Sequence, residues 1–517
     1  MQEDKIDQPE EKSPVERPRR RWVTRRNAAM VALGLGSLIV VLGLLAVVLF
    51  RYGTVDSIIK GQFVDKMNYM GIDFTADEFR LTLSPLELTL KNATFNDRTS
   101  GEKLGFIRDA RIGLTIDNLF AWQLTRDIKV DTTDIWGAEV WVKYDENGRS
   151  NFANLVQDER ASRISLKYDS VKFQLRDTVV HFGDLRRTIT ADANNIQFFL
   201  DPESWEDPTT PRRYRLDLTS TESNFTYQDS RLDNISLRVK AIADETGADI
   251  SELRLETPIG ETVLNGRLSD WKDFKYDLNI ESTVDLTQAS TIFPLGATLR
   301  GVGNFKGKVV GSGENYNVDG RIQSDALAAE GVYLKGINVA ATVAGTNANY
   351  EANGTAVAEL LTFEDFRVEF PKLVGNVRGT GSDFRWVGEL QAVAAKSKGL
   401  SIVGLFVSDA VAEYKDKQFV ASGGAGKAQK FSISDTSFDN LNARGLTFSR
   451  KDGVTQLNSA SATAGAMTTP DYKLEGVQGR NLKVRDTKDQ TTVEMDGLVA
   501  SGARLKDNRA QNLRASR

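Results

Sequence analysis

The single histidine of this chain is the first residue whose type could do chemistry. His181 lies in the strand-like run Val179-Val180-His181-Phe182, and the sequence contains no cysteine. A catalytic or zinc-binding histidine needs partners at fixed spacings, and neither a second histidine nor a cysteine is present to supply them. A structural histidine in a strand is therefore the favoured interpretation. The sequence predicts no catalytic residue, no metal site and no cofactor.

Paired carboxylates are a second kind of site, because two acids flanking a bond can hydrolyse a glycoside. The acids of this chain alternate with apolar residues, as Glu87 and Asp217 do. That alternation is typical of the solvated face of a strand. The acids therefore favour a water-facing surface over an active site.

Glycine-rich turns are a third kind of site, because they can hold phosphates. Gly301-Val302-Gly303 is followed by Lys306 where a dinucleotide fingerprint needs glycine, and Gly307-Lys308 by Val309 where a P-loop needs Ser or Thr. We interpret these glycines, with Gly423-Gly424, as turns. The sequence thus predicts a protein that is not an enzyme.

An uncharged apolar run from Ala28 to Phe50 divides the chain. At ~1.5 Å per residue it spans about 34 Å as a helix, enough to cross a ~30 Å hydrocarbon core. The run is too long for a signal peptide and ends without a cleavage motif. We predict a transmembrane helix at residues 28–50.

Charge around this helix predicts its orientation. Arginines crowd residues 17–26, whereas basic residues are sparse just after Phe50. The positive-inside rule then places residues 1–27, a polar and disordered basic tail, in the cytoplasm and residues 51–517 outside it. The formal net charge of −5 and the lack of a basic patch beyond the tail predict no nucleic-acid partner.

The large body is predicted to be mainly β. Residues 51–71 form a short membrane-proximal helix that ends at Gly71, and from there the hydrophobic period is two. Only Asn151–Arg160 and Asp285–Phe293 favour helix afterwards. An all-β solenoid, barrel or sandwich array fits this pattern. The alternation assigns these side chains to one apolar strand face, which makes them candidates to line a groove: Leu81, Leu83, Leu86, Leu88, Leu90, Ile112, Leu114, Ile116, Val140, Val142, Phe173, Leu175 and Phe198.

The C-terminal half carries a degenerate repeat. A Tyr-x-apolar-x-Gly pattern begins at Tyr316, Tyr350 and Tyr472, with no regular period. Strand-turn repeats that stack on their neighbours suit it. We therefore divide the body into a β region at 72–265 and a β-repeat region at 266–517. The second region has no evident terminal cap, and the sequence does not tell whether the chain is a fragment of a longer protein.

The order of these features resembles the AsmA/TamB-like envelope proteins. The matching motifs are Leu81-x-Leu83-Ser84-Pro85-Leu86-x-Leu88-x-Leu90-x-Asn92-Ala93-x-Phe95, Val140-x-Val142-x-Tyr144 running into Asn147-Gly148-Arg149-Ser150-Asn151, and Gly301-x-Gly303-x-Phe305-x-Gly307. The resemblance covers most of the chain after residue 28.

The resemblance implies a single-pass inner-membrane protein whose bulk is periplasmic. It implies an elongated repeating β-sheet groove, taco- or solenoid-like, that carries phospholipid between inner and outer membrane or supports outer-membrane assembly. An outer-membrane protein partner is also implied, although no segment matches the C-terminal domain with which TamB-type proteins meet a barrel. The alternative is a structural stalk or tether of the cell envelope without lipid cargo, because alternation alone does not distinguish a lipid-filled groove from a packed core.

The arginine asymmetry generates a topology test. Single cysteines at Ser13 and Ser220 are treated with a membrane-impermeant thiol reagent in cells with a permeabilised outer membrane. We expect labelling at position 220 and none at position 13, because only the body lies outside the cytoplasm. The opposite pattern would overturn the orientation.

Overall fold

The structure is a computed structural model that describes residues 64–514 apart from short gaps. The gaps are 66, 84, 117–125, 157–163, 168–169, 205–209, 294–298, 330, 364, 382, 416–417, 452–453, 487–490 and 506–507. The predicted tail and transmembrane helix lie outside the described residues. Within the described part, no helix has the length and apolar character needed to cross a membrane.

The described residues form 28 strands, one complete helix and the end of a second at residues 64–69, so the prediction of a mainly β body is confirmed. The first strands are β1 (Ile72–Thr75), β2 (Glu78–Leu83), β3 (Leu86–Asp97), β4 (Lys103–Ile116), β5 (Arg126–Tyr144), β6 (Ile164–Lys167), β7 (Lys172–Asp184), β8 (Ile189–Pro202) and β9 (Tyr214–Tyr227). The next are β10 (Ser230–Ala243), β11 (Gly247–Thr257), β12 (Gly260–Ser269), β13 (Lys275–Asp285), helix α1 (Leu286–Ile292), β14 (Leu299–Ser312), β15 (Asn315–Ala329), β16 (Val332–Thr346) and β17 (Asn349–Val357). The last are β18 (Leu360–Phe363), β19 (Phe366–Glu369), β20 (Lys372–Thr380), β21 (Asp383–Ser397), β22 (Leu400–Lys415), β23 (Gln418–Ile433), β24 (Thr436–Lys451), β25 (Val454–Thr468), β26 (Tyr472–Asp486), β27 (Thr491–Leu505) and β28 (Asn508–Arg514).

All 28 strands belong to one sheet, and most pair antiparallel with their neighbours in the chain. The parallel pairings join β5 to β6 and to β7. In the middle of the sheet, β17 and β20 pair along one half of the strand length, while β18 and β19 bridge β16 and β21 along the other half. At ~4.8 Å per step, the two dozen or so strands in succession extend roughly 110 Å.

One face of this sheet, here called the inner face, is apolar along the whole series. Cross-strand pairing joins its residues into rows, because residues opposite each other in a ladder point to the same side. One row passes through Leu90, Ala110, Ile135, Leu175, Phe198, Leu218, Val239, Leu253, Leu264, Ile280, Gly307, Gly320, Ala341, Gly354, Gly375, Gly388 and Ala410. Its side chains are large in the first half and small in the second.

Protein covers the inner face at the N-terminal end. Leu88 and Leu90 are 0% exposed. The cover comes from segments outside the sheet: Met67 and Met70 precede β1, while Phe152 and Leu155 belong to the crossover between β5 and β6. The Val156 amide donates to the Met70 carbonyl at 3.1 Å, which joins the two covering segments. This end is a closed hydrophobic core.

A second closed core lies on the inner face near the C-terminal end. Phe431, Phe438 and Leu474 are buried there, together with a set of alanines: Ala428, Ala462, Ala464 and Ala500. Alanine lets opposed parts of a curled sheet approach closely, so small side chains close this end without a separate covering segment.

Among the described residues, the middle of the sheet has no comparable core, although helix α1 packs beside β14 there. In the open section, which we define as residues 260–380 (β12–β20), Ala289 and Ser324 are the only buried residues among those described. The apolar residues of its inner face stay half-exposed, and Ile322 reaches 45%. We call this half-exposed middle of the inner face, between the two buried ends, the trough.

Several sequence predictions can be compared with these elements. Of the helix predicted within 51–71, residues 64, 65 and 67–69 are described and helical, and Gly71 has the positive φ (+87°) expected of a C-cap. The prediction at Asp285–Phe293 is confirmed, since Asp285 caps α1 by accepting from the Thr287 and Gln288 amides. The helix predicted at 151–160 is wrong over its described residues, because turns occupy 151–154. This segment crosses over the N-terminal core, against which Phe152 packs.

Two further predictions concern boundaries. The domain boundary at residue 265 falls inside β12, and the sheet continues through it. The turns predicted at Gly301–Gly303 and Gly423-Gly424 are wrong, because these glycines lie within β14 and β23.

Ser220, the labelling site named above, is 4% exposed, and its hydroxyl is hydrogen-bonded to that of Ser223. The cysteine of the topology test should therefore replace Ser100, which lies in an exposed turn.

The contrast between closed and open parts generates a stability prediction. Leu88→Ala leaves a cavity in a closed core and should lower the free energy of unfolding by about 2–5 kcal/mol. Leu278→Ala, on the open inner face, should cost about 1 kcal/mol or less in lipid-depleted protein, because its side chain is already half-exposed. Urea unfolding of both variants measures this difference. Equal losses would contradict the division into closed and open parts.

Candidate functional site

The open section presents a continuous apolar lining. Adjacent strands contribute residues that share its inner face, each half-exposed or exposed: Leu264, Leu278, Ile280, Phe305, Val309, Val318, Ile322, Val339, Val343 and Val377. The pairing registers place no charged side chain on this face among the described residues of β12–β20. The lining is thus apolar, wide and open to one side.

The opposite, outer face carries the charges. Lys308 pairs with Asp277 at 2.9 Å across β13 and β14, and Arg378 pairs with Glu351 at 3.0 Å across β17 and β20. The Arg378 hydrogen bond lowers the pKa of the Glu351 carboxyl below its ordinary value. These exposed pairs contribute little to stability individually. Their main effect is to keep the outer face in water, which fixes the apolar face as the inner one.

Glycines bend the open section inward. Gly354 and Gly375 belong to the inner-face row that runs from Leu90 to Ala410, and both lie very close to a neighbouring strand. A Cβ added at Gly354 would come within 2.4 Å of the Ala340 carbonyl oxygen, and one added at Gly375 within 2.3 Å of the Val387 carbonyl oxygen. Real Cβ contacts are not this short, so a side chain here would force the strands apart. A row of glycines across adjacent strands therefore forms the crease about which the sheet curls.

Tyrosines cover a second row of glycines. The rings of Tyr276, Tyr316 and Tyr350 lie over Gly311, Gly345 and Gly379 of the adjoining strands. This packing of an aromatic ring on a cross-strand glycine shields backbone that would otherwise face water. It also explains the Tyr-x-apolar-x-Gly pattern at Tyr316 and Tyr350: the tyrosine begins a strand near its hairpin, and the glycine four residues later lies in the crease.

The repeat is irregular over its full length, since Tyr472 lies 122 residues after Tyr350, but one part of it is evenly spaced. Tyr316, Tyr350 and Phe384 lie 34 residues apart, as do the crease residues Gly320, Gly354 and Gly388. The first unit holds the two strands β15 and β16, and the second fills the same two strand positions with four shorter strands, β17–β20, so equivalent side chains fall in the same row. The 34-residue spacing was present in the sequence and would have located the lining.

The groove residues predicted from the sequence do share one face, but protein encloses most of them. Leu81, Leu88, Leu90, Ile112, Leu114 and Phe173 belong to the closed N-terminal core, while Leu86, Leu175 and Phe198 are half-buried against it. Val142 is buried and Val140 is half-buried on the neighbouring part of the face. The side chains of Leu83 and Ile116 lie outside the description. Contact of these residues with lipid stays a prediction, and the lining of the open section was missed.

His181 occupies the outer face, away from the lining. Its ring stacks on Trp141 with centroids 5.1 Å apart, and its Nδ1 lies 2.7 Å from Asp192 Oδ1. Burial raises the pKa of Asp192, but hydrogen bonds from His181 and Asn224 outweigh it and lower that pKa overall. In the part of the chain that the structure describes, no three His, Cys, Asp or Glu side chains form a metal-binding group.

Comparisons with known proteins add no family. No protein-family model matches the chain, and no curated protein matches its sequence. The resemblance to AsmA/TamB-like proteins therefore remains an interpretation of the motifs.

The surroundings of His181 generate a prediction. His181→Gln should leave biological function intact, because glutamine retains a polar contact with Asp192 while the ring serves only in stacking. Growth of cells that depend on the variant, with its abundance measured in parallel, tests this. Loss of function in abundant, folded protein would contradict a structural role.

Proposed function

We propose that this protein carries phospholipid along the inner face of its sheet, with the acyl chains against the lining of the open section. The supporting observation is an uncharged apolar face, about seven strand positions wide, on which no large apolar side chain is buried among the described residues. A sheet face of this composition needs a cover. At both ends the protein supplies it, and in the middle a lipid would.

Covering the half-exposed lining side chains would lower the free energy of the protein. Fully burying a Val, Leu, Ile or Phe side chain gains about 1.5–3 kcal/mol. Completing the burial of ten or so half-exposed lining residues is then worth on the order of 10 kcal/mol, comparable with the whole stability of an ordinary domain. Acyl chains give this gain without a rigid partner surface, because they adapt to the curvature of the trough.

The same proposal includes location. The basic tail and the apolar run 28–50 support an anchor in the inner membrane with the body in the periplasm. A sheet of roughly 110 Å fits transfer between inner and outer membrane, or support of outer-membrane assembly through an outer-membrane protein partner. Transfer is passive in this proposal, and no residue performs a reaction.

The alternative function, a stalk without cargo, is favoured by the two closed cores. Leu88 in the first core and Phe431 in the second show that this sheet can cover its own inner face. A stalk would need the open section to be covered by protein, from this chain or another. The two functions therefore differ in what occupies the trough.

Adjacent residues of β15 provide a matched test. Val318 is on the inner face and half-exposed, while Asn317 is on the outer face and exposed. Val318→Asp places a carboxylate where acyl chains would lie, which repels them. The open side lets the carboxylate stay hydrated, so the fold should survive. We expect co-purified phospholipid, measured by mass spectrometry, to fall several-fold in Val318→Asp and not in Asn317→Asp.

Thermal unfolding of the same preparations is the control for folding. Unchanged phospholipid in folded Val318→Asp would contradict carriage in the open section. Parent protein that contains no phospholipid when purified from its membrane would favour the stalk.

A further inference from the structure

Aromatic rings cover two glycine pairs of the crease. Gly307 lies opposite Gly320, and Gly375 lies opposite Gly388. A Cβ added at Gly307 or at Gly320 would come within 2.8 Å of the Phe305 ring, so this phenyl ring lies over the first pair. A ring in this position shields the backbone of paired glycines, which have no side chains of their own.

The indole of Trp386 lies over the second pair. A Cβ added at Gly375 would be 2.8 Å from Trp386 Nε1, and one added at Gly388 would be 2.9 Å from its Cζ2. The pairing register agrees, because Trp386 is opposite Val377, which lines the open section. The side chain is half-exposed on the inner face, with its nitrogen toward the crease.

The Nε1–H group of Trp386 has no hydrogen-bond acceptor within the described part of the chain. The side chains opposite Trp386 on the neighbouring strands are Val377 and Ala412, which offer only carbon. Trp271 shows the usual arrangement, since its Nε1 donates to the Asp244 carbonyl oxygen at 3.0 Å. Trp386 therefore presents an unpaired donor on an uncharged, apolar part of the inner face.

Packing over the glycines does not require this N–H group. Phe305 covers an equivalent glycine pair with a phenyl ring, which has no polar atom. One and two repeat units before Trp386, the same position holds Ala352 and Val318. The indole nitrogen is thus a feature of this one strand, and neither the crease nor the repeat explains it.

The chemistry of a phospholipid narrows the acceptor for this N–H group. Acyl chains alone would cover the group without accepting its hydrogen bond, which is unfavourable. A phosphate would have to leave water for a face without cations, because Arg378 and Arg385 of the flanking strands lie on the outer face and pair with Glu351 and Glu413. An ester carbonyl oxygen is uncharged and adjoins the acyl chain, so it suits this position.

We propose that Trp386 holds the ester region of a glycerophospholipid, with its Nε1–H group donating a hydrogen bond to an ester carbonyl oxygen. The acyl chains then lie on the apolar lining beside it. This inference rests on the proposed function of lipid carriage and adds a fixed point to it. Trp386 is in this account a lipid-binding residue that selects ester-linked chains.

Two synthetic phosphatidylethanolamines test the proposal by equilibrium binding to the lipid-depleted full chain in detergent. One has ester-linked chains and the other has ether-linked chains of the same length, so they share the phosphate and differ in the carbonyl oxygens. We expect the parent protein to bind the diester about fivefold more tightly, as expected for one ordinary hydrogen bond.

Matched tryptophan variants identify the donor. Trp386→Phe keeps a ring over the glycine pair, as Phe305 does, and should weaken binding of the diester alone, so that the preference disappears. Trp271→Phe is the control, because it removes an indole N–H group that is bonded within the protein, and it should retain the preference. Thermal unfolding of each preparation reports whether it is folded.

Tryptophan fluorescence gives a second measurement of the same contact. Phosphatidylcholines with bromines near the ester or near the chain end are bound to the parent and to Trp386→Phe, and the difference in emission is assigned to Trp386. We expect bromines near the ester to quench this emission more strongly, because the indole lies beside the carbonyl.

The outcomes separate this inference from the proposed function. Equal binding of diester and diether by the parent, or a diester preference that survives in Trp386→Phe, would overturn the hydrogen bond and leave lipid carriage in place. Weaker binding of both lipids by folded Trp386→Phe would overturn the ester as acceptor, as would stronger quenching from the chain end. If Trp386→Phe does not fold, the comparison of the two lipids on the parent decides. Binding of neither lipid would contradict lipid carriage itself.

Discussion

The need to cover one apolar sheet face is the constraint on which the rest of this structure depends. A single series of mostly antiparallel strands carries the face from Leu88 near the N-terminal end to Val484 near the C-terminal end. A two-layered domain would bury such a face against a second layer. Among the described residues, the face is closed at its two ends, and the middle stays open apart from helix α1 beside β14.

Three devices satisfy the constraint in different parts of the sheet. At the N-terminal end, residues outside the sheet such as Met67 and Phe152 fill the trough. At the C-terminal end, alanines let the curled sheet close on itself. In the open section, glycines curl the sheet and tyrosines cover the row of glycines nearest one edge. The same small residues that permit the curl leave too little side-chain volume to cover the inner face, so the described apolar side chains of the open section stay half-exposed.

Sequence patterns were sufficient to predict the strands but not to predict which segments cover the inner face of the sheet. Alternation located the strands around Leu88, Ile112 and Phe173 and placed their apolar residues on one face. It could not show that Met67 and Phe152 enclose them, because a covering segment from elsewhere in the chain leaves no mark on the period of a strand. Glycines such as Gly301 were mistaken for turns, since composition alone does not distinguish a hairpin from an irregularity within a strand. The lining of the open section was missed because its signal, a 34-residue spacing, spans two hairpins and not one strand.

The central claim is that acyl chains fill the open section of the inner face. The most direct measurement is a cryo-electron microscopy map of the full chain purified with its native lipids. The account predicts rod-like densities of acyl-chain width between Leu278 and Val377, and none between Leu88 and Ile112, where the protein is already closed. An empty trough, or a trough covered by protein side chains, would contradict it.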